Sequence, residues 1–127
     1  MSDTCCSTRQ PRMILACSGG SNVGQITNQA AVELTREGLG KMFCLAGLGG
    51  GIPGLVQAAR DAGPVTVLDG CAVGCAKAIA DKAGLAGYAY LVVTNLGIAK
   101  VKDTQLAIRP DEVARVKQAA RDGQPQN

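Results

Sequence analysis

The six cysteines are the residues of this sequence best suited to chemistry. Cys71 and Cys75 lie four positions apart in the segment DGCAVGC, residues 69–75. Because the chain contains no histidine, the commonest general base, Cys-His catalysis and mixed Cys/His metal sites are excluded. Any chemistry must therefore use thiols, carboxylates, amines or backbone groups. Cys71 and Cys75 are then a metal clamp, a redox pair, or two small residues packed in a core.

The composition predicts one globular domain. A chain of 127 residues can bury a core without disulfides, and 46% hydrophobic with 18% charged residues is a globular balance. The polar start, MSDTCCSTRQPR, does not resemble a secretory signal, and no run reaches the roughly 18 apolar residues that cross a membrane. We therefore expect a cytoplasmic protein without a membrane partner, whose cysteines are mostly reduced.

Charge and aromatic content disfavour nucleic acid as a partner. The formal net charge is +3, but the Lys and Arg residues are spread along the chain, and the aromatic residues number only three, Phe43, Tyr88 and Tyr90. Base stacking therefore lacks its usual platform. Nucleotide binding has little support either, since neither a GxGxxG nor a Walker A pattern is present.

Short apolar runs alternate with helical segments, which is typical of parallel strands joined by crossover helices. We predict an α/β fold: a single three-layer domain over residues 12–122, with a mainly parallel sheet of about four strands flanked by helices. Residues 1–11 and 123–127 are predicted to be flexible tails. The predicted strands cover residues 12–17, 41–46, 65–69 and 88–94, the predicted helices cover 22–37, 53–62, 72–83 and 111–121, and 95–110 is compatible with a short helix and a loop.

Three of the cysteines are predicted to lie at one edge of the sheet. Ligands of open parallel sheets bind beyond the carboxyl ends of the strands. Cys17 ends the first strand, Cys71 follows the third, and Cys75 lies in the first turn of the next helix. The position of Cys44 stays open, because it joins the others only if its strand stops early.

Four cysteines without histidine are the ligand set of a closed tetrahedral zinc site, with Zn–S distances of about 2.3 Å. Residues four apart on a helix share a face, so Cys71 and Cys75 can bind the same ion. The glycine-rich segments SGGS (18–21) and GLGGG (47–51) offer backbone N–H groups to thiolate sulfur. The alternative is that Cys17 and Cys44 are small core residues.

The segments ILACSGGSNVGQITNQAA (14–31), FCLAGLGGGIPG (43–54) and VLDGCAVGCAKAI (68–79) resemble the DGC-domain family of bacterial and archaeal proteins. The likeness covers residues 12 to about 120. It implies zinc binding through four cysteines, whose matching positions here are Cys17, Cys44, Cys71 and Cys75. Ala72 stands where proline is expected in many members, and both residues suit the first turn of a helix. The resemblance implies no reaction or substrate.

Several polar residues near these cysteines have a functional and a plain interpretation. Asp69 can orient a ligand, but an Asx-type cap of the following helix is the favoured interpretation. Ser18, Ser21 and Asn22 can cradle an anion at the next helix, or simply cap it.

Two further pairs of residues also have more than one interpretation. Thr94 and Asn95 can line the same crevice or be an ordinary strand exit. Cys5 and Cys6 can bind metal or form an external disulfide, and a tail without a role is the favoured interpretation.

Two functions of different classes follow. The first is a zinc-binding module in which Cys17, Cys44, Cys71 and Cys75 saturate one ion, leaving no open position for hydrolysis, so that its role is structural, sensing or metal-handling. The second is a thiol redox or sulfur-relay enzyme, with Cys71 as nucleophile and Cys75 as resolving thiol. An iron–sulfur cluster is a third possibility, because four cysteines bind that cofactor too.

Overall fold

The computed structural model describes residues 12–123, which form four strands and five α-helices. The predicted tails and the pair Cys5 and Cys6 lie outside these residues, except Gly123, which caps the last helix. The elements in chain order are β1 (Arg12–Ala16), α1 (Asn22–Arg36), β2 (Gly40–Met42), α2 (Leu45–Gly49), α3 (Pro53–Asp61), β3 (Val65–Asp69), α4 (Cys75–Lys82), β4 (Ala89–Val92), a 3₁₀ helix (Val93–Leu96) and α5 (Pro110–Asp122).

The four strands form one parallel sheet in the order β2-β1-β3-β4. The central strand β3, with the sequence VTVLD, is buried at every position, as expected for a strand covered on both faces. Because all strands run the same way, the segments that follow them emerge at one edge of the sheet. We call this edge the carboxyl edge. The predicted α/β fold is confirmed.

Alternate residues of the strands point into two different cores. Leu15 and Val67 pack with buried residues of α2, α3 and α4 on one face. Ile14 and Leu68 pack with residues of α1 and α5 on the other. The domain therefore has three layers, and the carboxyl edge is bordered by helices from both outer layers.

Two glycines allow α1 to begin directly against the carboxyl edge. A Cβ atom at Gly70 would lie 2.8 Å from the backbone nitrogen of Gly24, and a Cβ at Gly24 would lie 2.7 Å from the backbone of Gly19. Real side chains do not tolerate such distances, so glycine is required at both positions. The loop after β1 and the loop after β3 are consequently held close together.

The prediction for the second strand was wrong in its extent. The strand was predicted over 41–46, but β2 ends at Met42 and the helix α2 begins at Leu45. Three of the five α2 residues are not favoured in strands, and two of these three are glycine, which is also unfavourable inside a helix. Packing decides the outcome, because Leu48 is buried and Gly49 lies against Ile79 of α4.

Two other boundaries also differ. The helix predicted over 72–83 begins only at Cys75, because Gly74 adopts a left-handed conformation with φ of 74°. Cys71 and Cys75 therefore do not share one helix face. The last strand ends at Val92 and not at residue 94, and the chain continues as the 3₁₀ helix and an irregular segment to Arg109.

No helix within residues 12–123 combines the length and the apolar character that crossing a membrane requires.

Substituting Gly70→Ala should destabilise the protein by about 1–3 kcal/mol, because the new Cβ has to displace the α1 backbone. The measurement is the free energy of unfolding from urea titration. Gly54→Ala is the matched control, since a Cβ at Gly54 meets nothing within 4 Å in helix α3, and it should be neutral or stabilise by up to about 1 kcal/mol. Equal stability of the Gly70→Ala variant and the wild type would contradict the close approach.

Candidate metal centre

The structure places all four candidate cysteines after the ends of strands, outside the strands themselves. Cys17 directly follows β1 and Cys71 follows β3 after one intervening glycine. Cys44 is the N-cap residue of α2, two residues beyond β2, and Cys75 is the first residue of α4. Because β2 stops early, Cys44 also lies beyond the carboxyl end of its strand.

Asp69 fixes the loop that bears Cys71 and Cys75. This carboxylate is only 1% exposed and accepts hydrogen bonds from the N–H groups of Ala76 and Lys77, at 2.8 and 3.0 Å. It also accepts one from the Tyr90 hydroxyl on β4 at 2.7 Å. The predicted capping role of Asp69 is confirmed, because it satisfies two of the free N–H groups at the start of α4.

The surroundings of Tyr90 keep its hydroxyl group protonated, so that it can donate to Asp69. Its desolvation, and then its hydrogen bond to Asp69, raise the pKa of Tyr90 well above the ordinary value. The phenol therefore stays protonated and keeps donating to Asp69 across the physiological range. The loop between β3 and α4 is thus anchored on both α4 and β4.

Cys17 has a half-buried thiol with backbone donors around it. The N–H of Gly19 lies 3.3 Å from its sulfur, and the N–H of Gly70 also faces that sulfur. Burial raises the pKa of the Cys17 thiol, while these two N–H groups act in the opposite direction. The first of the glycine-rich segments therefore does supply a donor to thiol sulfur, as predicted.

Cys71 has a different environment. The N–H of Val73, and then the ammonium of Lys100, lower the pKa of the Cys71 thiol. The Lys100 Nζ lies 3.2 Å from the Cys71 Sγ. The surroundings of Cys71 therefore favour the thiolate, which is the reactive and metal-binding form.

The cysteines divide between the two faces of the sheet. Cys17 packs on the core beneath α2, α3 and α4, and the charges of Cys17 and Cys75 are close enough to interact. Cys71 packs instead on the core formed by α1, α5 and the 3₁₀ helix. Across residues 12–123, no three Cys, Asp or Glu side chains are grouped closely enough to hold a metal ion as they stand.

The neighbouring polar residues have structural roles. The Ser21 hydroxyl accepts the N–H of Gly24 at 3.2 Å, so the N-cap interpretation is confirmed for Ser21. Thr94 lies in the 3₁₀ helix, and its N–H donates to the carbonyl of Gly70 at 3.1 Å. This bond holds the 3₁₀ helix against the Cys71 loop.

Two residues of the site were missed by sequence reasoning. Lys100 contacts Cys71 from an irregular segment 29 positions away, and no local pattern marks such a contact. The sequence marks Tyr90 only as one of three aromatic residues. Its role was accessible in principle, because the parallel register pairs Asp69 with Val92 on the adjacent strand and so places Tyr90 nearby.

The fold defines a class of small α/β proteins with a parallel sheet, and in this chain four cysteines follow the carboxyl ends of the strands. Comparison with known families gives the more specific assignment: the DGC domain matches residues 13–120. The chain belongs to the DGC domain family, as its sequence segments indicated.

A curated relative is the anaerobic and virulence modulator AnvM of Pseudomonas aeruginosa. The chain is 39% identical to it over 88 residues, which are 69% of this chain and 67% of the relative. No solved structure matches the chain.

Substituting Asp69→Asn should destabilise the protein by about 2–3 kcal/mol, because the amide has one acceptor oxygen where three donors converge. Tyr90→Phe should cost about 1 kcal/mol, since it removes only one of these three bonds. Chemical denaturation of both variants checks this order. A larger loss for Tyr90→Phe than for Asp69→Asn would contradict the capping role.

In reduced, metal-free protein, Cys71 should be alkylated at lower pH than Cys17, because the pKa of Cys71 is lowered and that of Cys17 is raised. The measurement is the rate of iodoacetamide labelling of each cysteine between pH 6 and 10, read by peptide mass spectrometry, with the midpoint of the rise compared. A lower midpoint for Cys17 than for Cys71 would contradict the raised pKa of Cys17 and the lowered pKa of Cys71.

Proposed function

We propose that this protein is a zinc-binding module in which Cys17, Cys44, Cys71 and Cys75 bind one ion at the carboxyl edge. The site belongs to the domain over residues 12–122 and has a structural, metal-handling or sensing role. Four sulfur ligands leave no open position for water, so the zinc is not hydrolytic. A cytoplasmic location, where thiols stay reduced, is part of the proposal, with a metal ion as the partner and not nucleic acid.

The observation that carries the proposal is the set of donors facing two of the sulfurs. Backbone N–H groups approach Cys17 from Gly19 and Gly70, and Val73 approaches Cys71. Thiolates bound to zinc leave the centre with excess negative charge, and N–H groups aimed at sulfur offset it. Cysteines that only fill a core do not require such donors.

Zinc binding requires the four sulfurs to move closer together, because within residues 12–123 no three Cys, Asp or Glu side chains are grouped closely enough to hold an ion. All four cysteines occupy loop or helix-end positions, and residues 18–20 and 72–73 beside them are exposed. Short exposed loops rearrange at lower cost than strands packed on both faces. Metal binding is therefore expected to order the carboxyl edge and stabilise the fold.

A specific observation favours a second function, which is thiol chemistry at Cys71. The Lys100 ammonium at 3.2 Å and the N–H of Val73 activate this sulfur without histidine. The Cys71 thiolate would attack one sulfur of a substrate disulfide and release the other as a thiolate. Cys75 would then attack the Cys71 sulfur, forming a Cys71–Cys75 disulfide and releasing the rest of the substrate.

The relative supports a sensing role in particular. Its name describes it as an anaerobic and virulence modulator of Pseudomonas aeruginosa. Thiolate centres respond directly to oxidants, because oxidation of sulfur removes a metal ligand. A sensor that releases zinc when oxidised would connect the cysteine site with such a role.

Protein purified in reducing buffer without a metal-affinity tag should contain one zinc per chain by elemental mass spectrometry. Of its six thiols, only two should react quickly with a thiol reagent, and all six after denaturation with a chelator. Cys17→Ser, Cys44→Ser, Cys71→Ser and Cys75→Ser should each weaken zinc binding by more than about tenfold, because a first-sphere ligand is lost.

The control is the double substitution Cys5→Ser and Cys6→Ser, which should leave the zinc content unchanged. Zinc retention by the Cys44→Ser variant would remove Cys44 from the ligand set. Metal-free protein that forms a Cys71–Cys75 disulfide under mild oxidation would replace the zinc proposal with the thiol enzyme. A brown protein containing iron would indicate a cluster.

A further inference from the structure

Asn22 fastens a distant loop to the start of α1. Its side-chain Nδ2 donates to the carbonyl of Ala99 at 2.8 Å, and its Oδ1 accepts the N–H of Val101 at 2.6 Å. The backbone N–H of Asn22 also donates to the carbonyl of Val101, at 3.3 Å. Asn22 is only 7% exposed, so this amide is committed to the loop and not to solvent.

The residue held between these bonds is Lys100. Ala99 and Val101 are fixed on its two sides, and Ile98 just before them is buried at 2% exposure. The Lys100 side chain is exposed, yet its Nζ reaches the Cys71 Sγ at 3.2 Å. A lysine side chain has many rotamers, so its average position near one atom depends on where its backbone is held.

We infer that Asn22 is a positioning residue for the thiol site: by holding Ala99 and Val101 it keeps the Lys100 ammonium on the sulfur of Cys71. This inference rests on the proposed function only in treating Cys71 as a functional thiol. It applies equally to a metal ligand and to a nucleophile, because both use a thiolate whose charge the ammonium offsets.

Because the chain contains no histidine, a lysine provides the positive charge beside the Cys71 thiol, and Asn22 holds the loop that carries this lysine. A four-thiolate zinc centre has a net charge of about −2, and one ammonium at a ligand sulfur reduces it. Lys102 lies two positions further along the same loop, and within residues 12–123 it makes no hydrogen bond to a thiol. It therefore provides a matched control of equal charge.

The test is the rate at which iodoacetamide alkylates Cys71 in reduced, metal-free protein at pH 7, followed by peptide mass spectrometry. Lys100→Met should slow the reaction about three- to tenfold, because the ammonium no longer assists the thiolate. Asn22→Ala should slow it by a similar factor, Lys100→Arg should retain most of the rate, and Lys102→Met should match the wild type.

The double variant separates positioning from a general structural effect. If Asn22 acts through Lys100, adding Asn22→Ala to Lys100→Met should change the rate no further. An additional slowing in the double variant, or an unchanged rate in either single variant, would overturn the inference. Urea titration of each variant identifies any loss of folding, and in that case the rate is compared in Asn22→Ser, whose smaller side chain cannot bridge both loop groups.

Zinc provides a second readout. In wild-type protein that binds zinc, Lys100→Met and Asn22→Ala should each lower the affinity about tenfold in competition with a chelator, and Lys102→Met should not. Failure of the proposed function would appear as absent zinc in the wild type. The alkylation rates of the metal-free protein would still test the role of Asn22.

Discussion

The hydrogen bonds accepted by the buried Asp69 carboxylate position the loop that carries Cys71 and Cys75. Asp69 ends β3, caps α4 through Ala76 and Lys77, and accepts the Tyr90 hydroxyl from β4. A buried carboxylate is costly unless several donors meet it, so these three elements have little freedom to separate. The segment between Asp69 and Ala76, which contains Cys71 and Cys75, is consequently closed into one compact loop.

A second constraint, the contact of Gly70 with Gly24, ties this loop to the opposite layer. Because neither residue has a side chain, the start of α1 lies against the residue before Cys71. Asn22 therefore begins a helix at the carboxyl edge and reaches the loop that carries Lys100. The close contact between the Gly70 loop and α1 also brings the Gly70 N–H to the sulfur of Cys17. The packing of the backbone thus determines which hydrogen-bond donors lie next to Cys17 and Cys71.

Much of the fold could be predicted from sequence because buried parallel strands and the helices between them leave strong periodic signals. The roles of Asp69 and Ser21 were also accessible, since capping acts over a few residues. The short helix α2 and the late start of α4 were not, because tertiary packing of Leu48 and the left-handed Gly74 decide them. Lys100 could not be found either, since its contact with Cys71 depends on the path of a long irregular loop.

Because the chain contains no histidine, other groups control the charge on its thiols. At Cys17 the means are backbone N–H groups, whose effect is opposed by burial, so the neutral thiol is favoured there. At Cys71 the N–H of Val73 and the ammonium of Lys100 both lower the pKa, so the thiolate is favoured there. One edge of the sheet therefore contains an activated sulfur and a protected one. A metal ion held by Cys71 together with other cysteines would require the surrounding loops to close, because the thiols are not grouped within residues 12–123. Metal binding would therefore couple the chemistry of Cys71 to the conformation of the carboxyl edge.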